Sequence, residues 1–536
     1  MGIESKRPMV RIDGTVAAPG LAEGPLFRLA GGPRSLRTAG APAEEGAALA
    51  RALAEAHAEL TRLAALCADG EAAAILQFQI ALLEDEALSQ PAQAAIDRGQ
   101  AAEFAWRAAL DAQIADYENA VDAYFRGRAA DLKDLRERVL DRLSGATTSE
   151  IPPGAIVSAE DLAPSRFLAP DWRGGGIVLS RGSPTSHLAI LARARGIPVV
   201  VGIDTTCCNG HSYALLDGEA GSIILDPDDE TRRAFERKLA ERQSRDDAER
   251  VHLARPARTQ AGETVTVMVN LGSLIELGMI EPAHTDGVGL VRTEFLFQGR
   301  EQLPGEEEQL AAYRRILDWA GGRPVIIRTL DAGGDKPIPG LTRTGESNPF
   351  LGVRGVRLSL RHPEVFRIQL RALARAAAEG PLKIMIPMVT LPEELIRCRA
   401  LLGEAVAGLQ AAGLPARDPE LGMMVEVPAA ALALDEFDAD FTSIGSNDLI
   451  QYLTAASRDE PELAPLAACP PGLWRLVRDI VEHGRRTGRE VSLCGDLAGD
   501  PKMVPALLDC GLRKLSVAPA ALASVKAAVS RYRAGR

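Results

Sequence analysis

The chain has 536 residues, of which 46% are hydrophobic and 25% are charged, so it has the composition of a globular protein and the length of roughly two to four domains. Its formal net charge of -12 argues against a nucleic-acid partner, whose phosphates would repel it. There is no apolar stretch of membrane-spanning length, no signal peptide and no CxxC pair among the seven scattered cysteines, which predicts a cytoplasmic protein without a membrane partner.

The first 150 residues predict two kinds of structure. Residues 8–28 are typical of short strands around a turn at Ala18-Pro19-Gly20. Residues 42–144 are rich in Ala, Leu, Glu and Arg, with Pro91 as the only break, and their apolar positions recur at intervals of three and four. This spacing predicts three or four packed helices inserted into an α/β segment.

Residues 150–226 return to strands and turns, in which IVSAEDL, GIVLS, IPVVVG, YALLDG and GSIILDP alternate with Gly and Pro. One helix is predicted among them, within residues 181–202. The following segment, 228–250, is charged on nearly every face, which is typical of a solvated helix between domains.

From residue 262 onward, apolar runs alternate with helical stretches. The eight runs are TVTVMVN, DGVGLV, PVIIRTL, LKIMIPM, LGMMVEV, FTSIG, EVSLCG and RKLSVA. Eight such units predict a (β/α)₈ barrel, with a doubly wound open sheet as the alternative that periodicity leaves open.

Polar side chains follow several of these runs, at the end where a barrel carries its reactive groups. They are Arg292, Arg328, Glu426, Asn447, Asp448 and Cys494. Arginine matches carboxylate and phosphate oxygens, and carboxylates suit Mg²⁺, so the set indicates an anionic substrate held with a divalent cation. Any one of these charges alone would be interpreted as a loop salt bridge, and Cys494 alone as a packing residue.

The segment RGSPTSHLAILARARGIPVVVG (181–202) places His187 in the first turn of a short helix. Thr185 and Ser186 are cap-type residues, and Gly196 and Pro198 end the helix. Free backbone N–H groups and the helix dipole favour negative charge there, so a phosphoryl group on the imidazole would be stabilised. The alternative is a hydrogen-bonded structural histidine near a cap.

These residues resemble a known family, enzyme I of the phosphoenolpyruvate-dependent sugar phosphotransferase system. GSPTSHLAILARARGIPVVVG resembles its phosphohistidine signature. The barrel motifs that look like the family's are GVGLVRTEFLF, RTLDAGGDK, NPFLGVRGVR, MMVEVPAAA, SIGSNDLIQY and CGDLAGD. EAAAILQFQIALLEDEAL (71–88) and RAADLKDL (128–135) are similar to its carrier-binding helices, so the resemblance runs nearly end to end.

The resemblance implies the following roles. His187 would accept the phosphoryl group on Nε2, with Thr185 orienting it, and Cys494 would protonate the enolate to give pyruvate. The substrate would be bound by Arg292, Arg328, Asn447, Asp448 and Arg458. Glu426 and Asp448 would hold Mg²⁺. A small HPr-like carrier protein would receive the phosphoryl group, as the first step of sugar uptake.

The resemblance also implies the domain organisation. Residues 1–35 and 145–227 would form a swivelling α/β phosphohistidine domain, and 36–144 an inserted helical carrier-binding subdomain. Residues 228–255 would be a linker helix, and 256–536 a barrel that binds phosphoenolpyruvate and forms a homodimer.

Several positions depart from the family's usual pattern and leave the carrier's identity open. They are Ser183-Pro184 before the Thr-Ser-His triplet, Gln79 where His is common, Val353 where an aromatic is usual, Asp496 where Glu is common, and the segment 461–475.

Three alternatives remain at this level. A pyruvate phosphate dikinase or phosphoenolpyruvate synthase would need an ATP-binding domain, for which we expect no room before residue 42. A catalytically silent protein that senses phosphoenolpyruvate would not need the full set of His, Arg, Glu, Asp, Asn and Cys. A nitrogen-type paralogue usually carries an N-terminal sensor domain, which we do not expect here.

Overall fold

The computed structural model describes residues 9–29, 39–66, 70–118, 123–144, 151–162, 166–167, 170–182, 187–297, 302–334, 338–343, 345–457, 461–463, 466 and 470–534. Thr185, Arg458, Ser183-Pro184, part of 461–475 and the side chain of His187 lie outside the description. The chain divides into two compact units, residues 1–243 and 244–536. The finer domain boundaries expected from the sequence stay predictions.

The first unit contains one eight-stranded sheet. Its strands are β1 (Val10–Asp13), β2 (Thr15–Ala18), β3 (Leu21–Arg28), β4 (Ile156–Ala159), β5 (Gly176–Leu179), β6 (Val199–Val201), β7 (Tyr213–Asp217) and β8 (Ser222–Leu225). They lie in the order β1-β8-β7-β3-β4-β5-β6-β2, with β3, β4, β5 and β6 parallel to one another. The predicted strands around the Ala18–Gly20 turn and in 150–226 are confirmed.

Five helices occupy the described residues between β3 and β4. They are α1 (Pro42–Leu66), α2 (Gly70–Glu84), α3 (Glu86–Asp97), α4 (Ala102–Glu118) and α5 (Ala123–Leu143). The prediction of three or four helices was therefore wrong in number. Pro91 is accommodated inside α3, and a break falls instead at Asp85, whose carboxylate caps α3 by accepting a hydrogen bond from Ala87 N at 2.9 Å.

Two further α-helices follow β5 in the described residues. The helix α6 (His187–Arg195) begins at His187 and is followed by Gly196 at φ +65°, which confirms the predicted start and end. The helix α7 (Asp229–Arg250) is the charged helix predicted over 228–250.

The second unit is a closed parallel barrel, so the open-sheet alternative is wrong. Its strands are β9 (Thr266–Leu271), β10 (Val288–Arg292), β11 (Val325–Arg328), β12 (Leu382–Ile386), β13 (Leu421–Val425), β14 (Phe441–Ile444), β15 (Glu490–Leu493) and β16 (Lys514–Val517). Each coincides with one of the eight predicted runs, although β9 and β10 each extend one residue beyond theirs, and β16 pairs with β9 to close the barrel.

α-Helices of at least five residues lie between or after these strands in the described part of the unit. They are α8 (Glu306–Ala320), α9 (Val356–Arg361), α10 (Pro363–Ala377), α11 (Pro392–Ala411), α12 (Pro428–Leu432), α13 (Ser446–Thr454), α14 (Pro471–Thr487), α15 (Val504–Asp509) and α16 (Leu522–Arg531). Side chains alternate along each strand, so that one set packs against these helices and forms the larger core. A second, smaller cluster of buried residues consists of Leu290, Ile326, Met385, Met424, Phe441 and Cys494. None of the helices in the described ranges has the length and apolar character needed to cross a membrane.

Candidate active site

Arg328 is the last residue of β11, and its guanidinium is buried at the carboxyl end of the barrel. Its Nη2 donates to Glu294 Oε1 at 3.0 Å, and its Nη1 lies 3.1 Å from Asp331 Oδ2. Burial opposes the charge, but the carboxylates of Glu294 and Asp331 outweigh it and raise the pKa, so Arg328 stays cationic. Its Nε is buried and has no hydrogen-bond partner among the described residues, which leaves one donor for a bound anion.

Arg292 ends β10, beside Arg328. The two residues are partners in the register of the parallel pair β10 and β11. Both predicted arginines therefore lie at the same level of the rim, meaning the residues at and just after the carboxyl ends of the barrel strands. Arg292 is half-buried. Two arginines at paired positions of neighbouring strands provide the local positive charge that an acidic protein needs to hold a small anion.

Arg354 is a second buried arginine of the rim, and the sequence analysis did not single it out. Its Nη2 and Nε donate to the two carboxylate oxygens of Asp331 at 2.8 and 3.2 Å, and its Nη1 donates to Asp448 Oδ1 at 3.1 Å. Arg354 precedes α9 and does not end a strand, so it does not belong to the polar residues that were predicted at strand ends. The motif NPFLGVRGVR, which contains it, was the available signal.

Glu426 and Asp448 provide the two carboxylates predicted to hold a cation. Glu426 follows β13 and is almost fully buried, and its Oε1 accepts a hydrogen bond from Met388 N at 2.7 Å. Burial, with the negative charges of Asp448 and Asp331, raises the pKa of Glu426 well above its usual range. The site therefore favours added positive charge.

The space beside Glu426 depends on a glycine. A Cβ atom at Gly445 would lie 2.8 Å from Glu426 Oε2, so the absent side chain leaves room at this carboxylate. No group of three or more His, Cys, Asp and Glu side chains in the described residues forms a metal site by protein ligands alone. Two carboxylates plus substrate oxygens is nevertheless a ligand set that Mg²⁺ uses, and the residues present fit it.

Cys494 follows β15 and is buried. Its Sγ lies 3.8 Å from the carbonyl oxygen of Ile444. Burial raises the pKa of the thiol to about 11. The thiol is therefore protonated at neutral pH and chemically suited to donate a proton rather than to act as a nucleophile.

Asn447 is held by one of the residues that depart from the family pattern. Its Nδ2 donates to Asp496 Oδ2 at 2.9 Å, and its Oδ1 accepts from Asp496 N at 2.8 Å. This reciprocal pair fixes the amide plane of Asn447. Asp496, where Glu is common in the family, therefore orients a residue that is predicted to bind the substrate.

The rim as a whole brings together positively and negatively charged groups, of which Arg328, Arg354, Glu426 and Asp448 are buried. Such a site can bind a phosphorylated carboxylic acid through arginine, hold a cation on two carboxylates, and supply a proton from a thiol. His187 lies in the other compact unit, at the start of α6.

Comparison with known proteins gives the family. A family model described as the PEP-binding domain of PEP-utilising enzymes matches residues 246–534. Models described as the N-terminal and mobile domains of PEP-utilising enzymes match residues 13–128 and 151–221. The three matches follow one another along the chain in the order expected from the motifs.

The chain is 37% identical over 547 residues to the phosphoenolpyruvate-protein phosphotransferase of Bacillus sp. (strain S), which covers 96% of this chain and 92% of the relative. It is 38% identical over 535 residues to the protein of the same name from Geobacillus stearothermophilus, with the same coverage. It is 40% identical over 465 residues to the multiphosphoryl transfer protein of Rhodobacter capsulatus, covering 85% of this chain and 56% of that protein.

The chain therefore belongs to the PEP-utilising enzymes, in the family of phosphoenolpyruvate-protein phosphotransferases. This confirms the resemblance drawn from the motifs. It also favours that family over a dikinase or a silent regulatory protein.

Proposed function

We propose that the chain is a phosphoenolpyruvate-protein phosphotransferase. It moves the phosphoryl group of phosphoenolpyruvate to its own His187 and then to a histidine of a small HPr-like carrier protein, releasing pyruvate as the first step of sugar uptake. The observation that carries the proposal is the rim, where Arg328 has a buried donor left over beside the carboxylates and Cys494. The relatives, named for this activity, support it.

Phosphoenolpyruvate binds at the rim through its phosphate and carboxylate groups. Arg292 and Arg328, at paired positions of β10 and β11, contact these oxygens through their guanidinium groups. Asn447, Asp448 and Arg458 complete the substrate-binding set. Because the donors are already held by carboxylates and by neighbouring strands, little reorganisation is needed as negative charge shifts during transfer.

Family members need a divalent metal ion, and we assign it here as Mg²⁺ held by Glu426 and Asp448. When bound, such an ion neutralises charge on the phosphoryl oxygens during transfer. The space left by Gly445 and the excess of negative charge around Glu426 support this assignment.

His187 accepts the phosphoryl group through Nε2, with Thr185 orienting the ring. Its place at the start of α6, a helix of nine residues, offers free backbone N–H groups and a favourable dipole to the phosphorylated imidazole. The imidazole must reach the rim to accept the group and must then face the carrier, so the unit that bears it works as a moving arm.

Cys494 completes the first half-reaction. When the P–O bond of phosphoenolpyruvate breaks, the enolate of pyruvate is left. The Sγ–H group of Cys494 then donates its proton to the terminal methylene carbon of this enolate, which gives pyruvate. The raised pKa of this thiol keeps the proton available at neutral pH. We further assign the protein to the cytoplasm and its barrel to a homodimer.

The proposal is tested by incubating the protein with ³²P-labelled phosphoenolpyruvate and Mg²⁺. We expect acid-labile label on the protein, one pyruvate per label, and passage of the label to the HPr-type carrier of Geobacillus stearothermophilus. Binding of phosphoenolpyruvate without any label would identify a sensor instead, and labelling by ATP would identify a dikinase.

A further inference from the structure

The segment Arg166–Phe167, between β4 and β5, contacts the helical part of the first unit. Arg166 Nη2 donates to Asp141 Oδ2 at 2.7 Å, and Arg166 Nε lies 3.9 Å from Asp134 Oδ1. Both carboxylates belong to α5, and the side chain of Asp134 is almost fully buried. The strand-bearing part of the unit is thus joined to α5 by one guanidinium and two carboxylates.

Asp134 is also the point at which two of the helical segments meet. Its Oδ2 accepts from Gln79 Nε2 of α2 at 3.0 Å and lies 3.8 Å from Arg138 Nη2 of α5. Arg138 Nη1 in turn lies 2.8 Å from Glu59 Oε2 of α1. Three helices therefore share one buried polar network, and Arg166 enters it from outside the helical part.

The neighbouring residue, Phe167, connects the same segment to α6. Phe167 is fully buried, and its ring stacks on Trp172 with centroids 5.6 Å apart. Trp172 Nε1 donates to the carbonyl oxygen of Phe167 at 2.7 Å. The guanidinium of Arg195, the last residue of α6, lies 5.5 Å from the centroid of the Phe167 ring.

We propose that Arg166 and Phe167 form a clasp that fixes the orientation of α6, and so of His187, relative to the helices α2 and α5. Arg166 is the positioning residue of this clasp, and its carboxylate partners are Asp134 and Asp141. The inference rests on the proposed function, because the segments assigned to carrier binding, 71–88 and 128–135, lie in α2 with the start of α3 and in α5.

The clasp acts on the second half-reaction only. Phosphoenolpyruvate is bound in the barrel, whereas transfer to the carrier needs the phosphohistidine and the docked carrier to be held at a fixed separation. Buried ion pairs with shared hydrogen bonds hold such geometry more tightly than exposed ones, and a displacement of about 1 Å between reacting groups can slow a reaction by as much as a hundredfold.

The test compares Arg166→Gln with Arg173→Gln. Arg173 lies in the same connection but is exposed and pairs locally with Asp171, so it serves as the matched control. One assay follows labelling of His187 by phosphoenolpyruvate. A second assay follows transfer from the labelled protein to the HPr-type carrier of Geobacillus stearothermophilus. We expect Arg166→Gln to slow transfer by about tenfold and labelling by less than about twofold, and Arg173→Gln to change neither.

A double-mutant cycle separates positioning from general damage. If Arg166 acts through Asp141, then Asp141→Asn should slow transfer, and the double variant Arg166→Gln with Asp141→Asn should be slower than the wild type by much less than the product of the two single effects. If Arg166→Gln does not fold, Arg166→Lys carries the test, because one ammonium cannot reach both carboxylates.

Normal transfer in the Arg166 variant, equal slowing of labelling and transfer, or fully additive effects would overturn the clasp. These outcomes differ from failure of the proposed function. In that case the wild-type protein itself would take no label or would pass none to the carrier.

Discussion

At the scale of single residues, Cys494 carries the clearest chemical expectation. Replacing Cys494 with Ser should slow pyruvate formation by about 10²–10⁴-fold, because the proton donor is replaced by a much weaker acid. Binding of phosphoenolpyruvate should change little, since the arginines remain. Rapid-quench measurement of pyruvate, with calorimetric titration of the substrate as the control, checks this, and unchanged pyruvate formation would remove Cys494 from the mechanism.

The same thiol sets a pH dependence. Burial raises the pKa of Cys494 to about 11, so its proton-bearing form persists to higher pH than an ordinary thiol's. Between pH 7 and pH 9, roughly, the single-turnover rate should therefore not decline through loss of this proton. A decline with a midpoint near 8.5, the ordinary value for cysteine, that disappears in Cys494→Ser would contradict the description of its environment.

Gly445 tests the cation site. Gly445→Ala would place a methyl group 2.8 Å from Glu426 Oε2 and displace that carboxylate. We expect Mn²⁺, used as the probe ion, to bind about tenfold more weakly, as is typical when a ligand's surroundings are disturbed. Gly403→Ala in α11, where a Cβ meets nothing within 4 Å, is the matched control. Equal Mn²⁺ affinities in electron paramagnetic resonance titrations of the two variants would argue against a site at Glu426.

The sequence predicted the rim residues at strand ends, because an apolar run followed by a charge has a recognisable pattern. It did not predict Asp331 and Arg354, which hold Arg328 and Asp448 in place. Neither is the last residue of a strand, and ion pairs across 23 and 94 positions of sequence leave no periodic signal.

At the scale of elements, the break between α2 and α3 rests on a single cap. Asp85→Ala should lower the free energy of unfolding by about 1 kcal/mol, whereas Asp85→Asn should cost much less because its side-chain oxygen still accepts from Ala87 N. Urea denaturation followed by circular dichroism checks the difference. Equal stability of the two variants would show that the cap does not determine the break.

For residues 42–144 the sequence predicted the type of element correctly but not the number of helices. The three-to-four spacing identified helices over 42–144, but a continuous spacing does not reveal where one helix stops and another starts. The decisive feature is a side-chain hydrogen bond at Asp85, and proline, the residue expected to break the run, lies within α3. The barrel strands were easier, since Gly, Pro and charged residues bound each run.

At the scale of the whole molecule, we expect a ligand that binds in one compact unit to change the thermal stability of that unit and not of the other. Phosphoenolpyruvate binds in the barrel, so at about 100 times its dissociation constant it should stabilise the barrel by about 2.7 kcal/mol and leave the first unit unchanged. Calorimetry with Mg²⁺ and substrate should show two transitions, of which one moves. Displacement of both transitions by the same amount would contradict independent units.

The order of the motifs predicted the family, and with it an α/β first unit and a barrel in the second unit. It could do so because each motif combines a local structure with the residues for one chemical step. It did not predict the buried network around Asp134, which depends on how α1, α2, α5 and the β4–β5 connection pack. Those contacts join residues far apart in sequence, and composition gives no indication of them.

The proposed function depends on delivery of the phosphoryl group of phosphoenolpyruvate to His187. Peptide mapping after treatment with labelled phosphoenolpyruvate tests this most directly, using the wild-type protein, His187→Ala, and His252→Ala as a control. We predict label on the peptide containing residues 181–202 in the wild-type and control proteins, and none in His187→Ala. Label on a different peptide, or label that survives the loss of His187, would contradict the account.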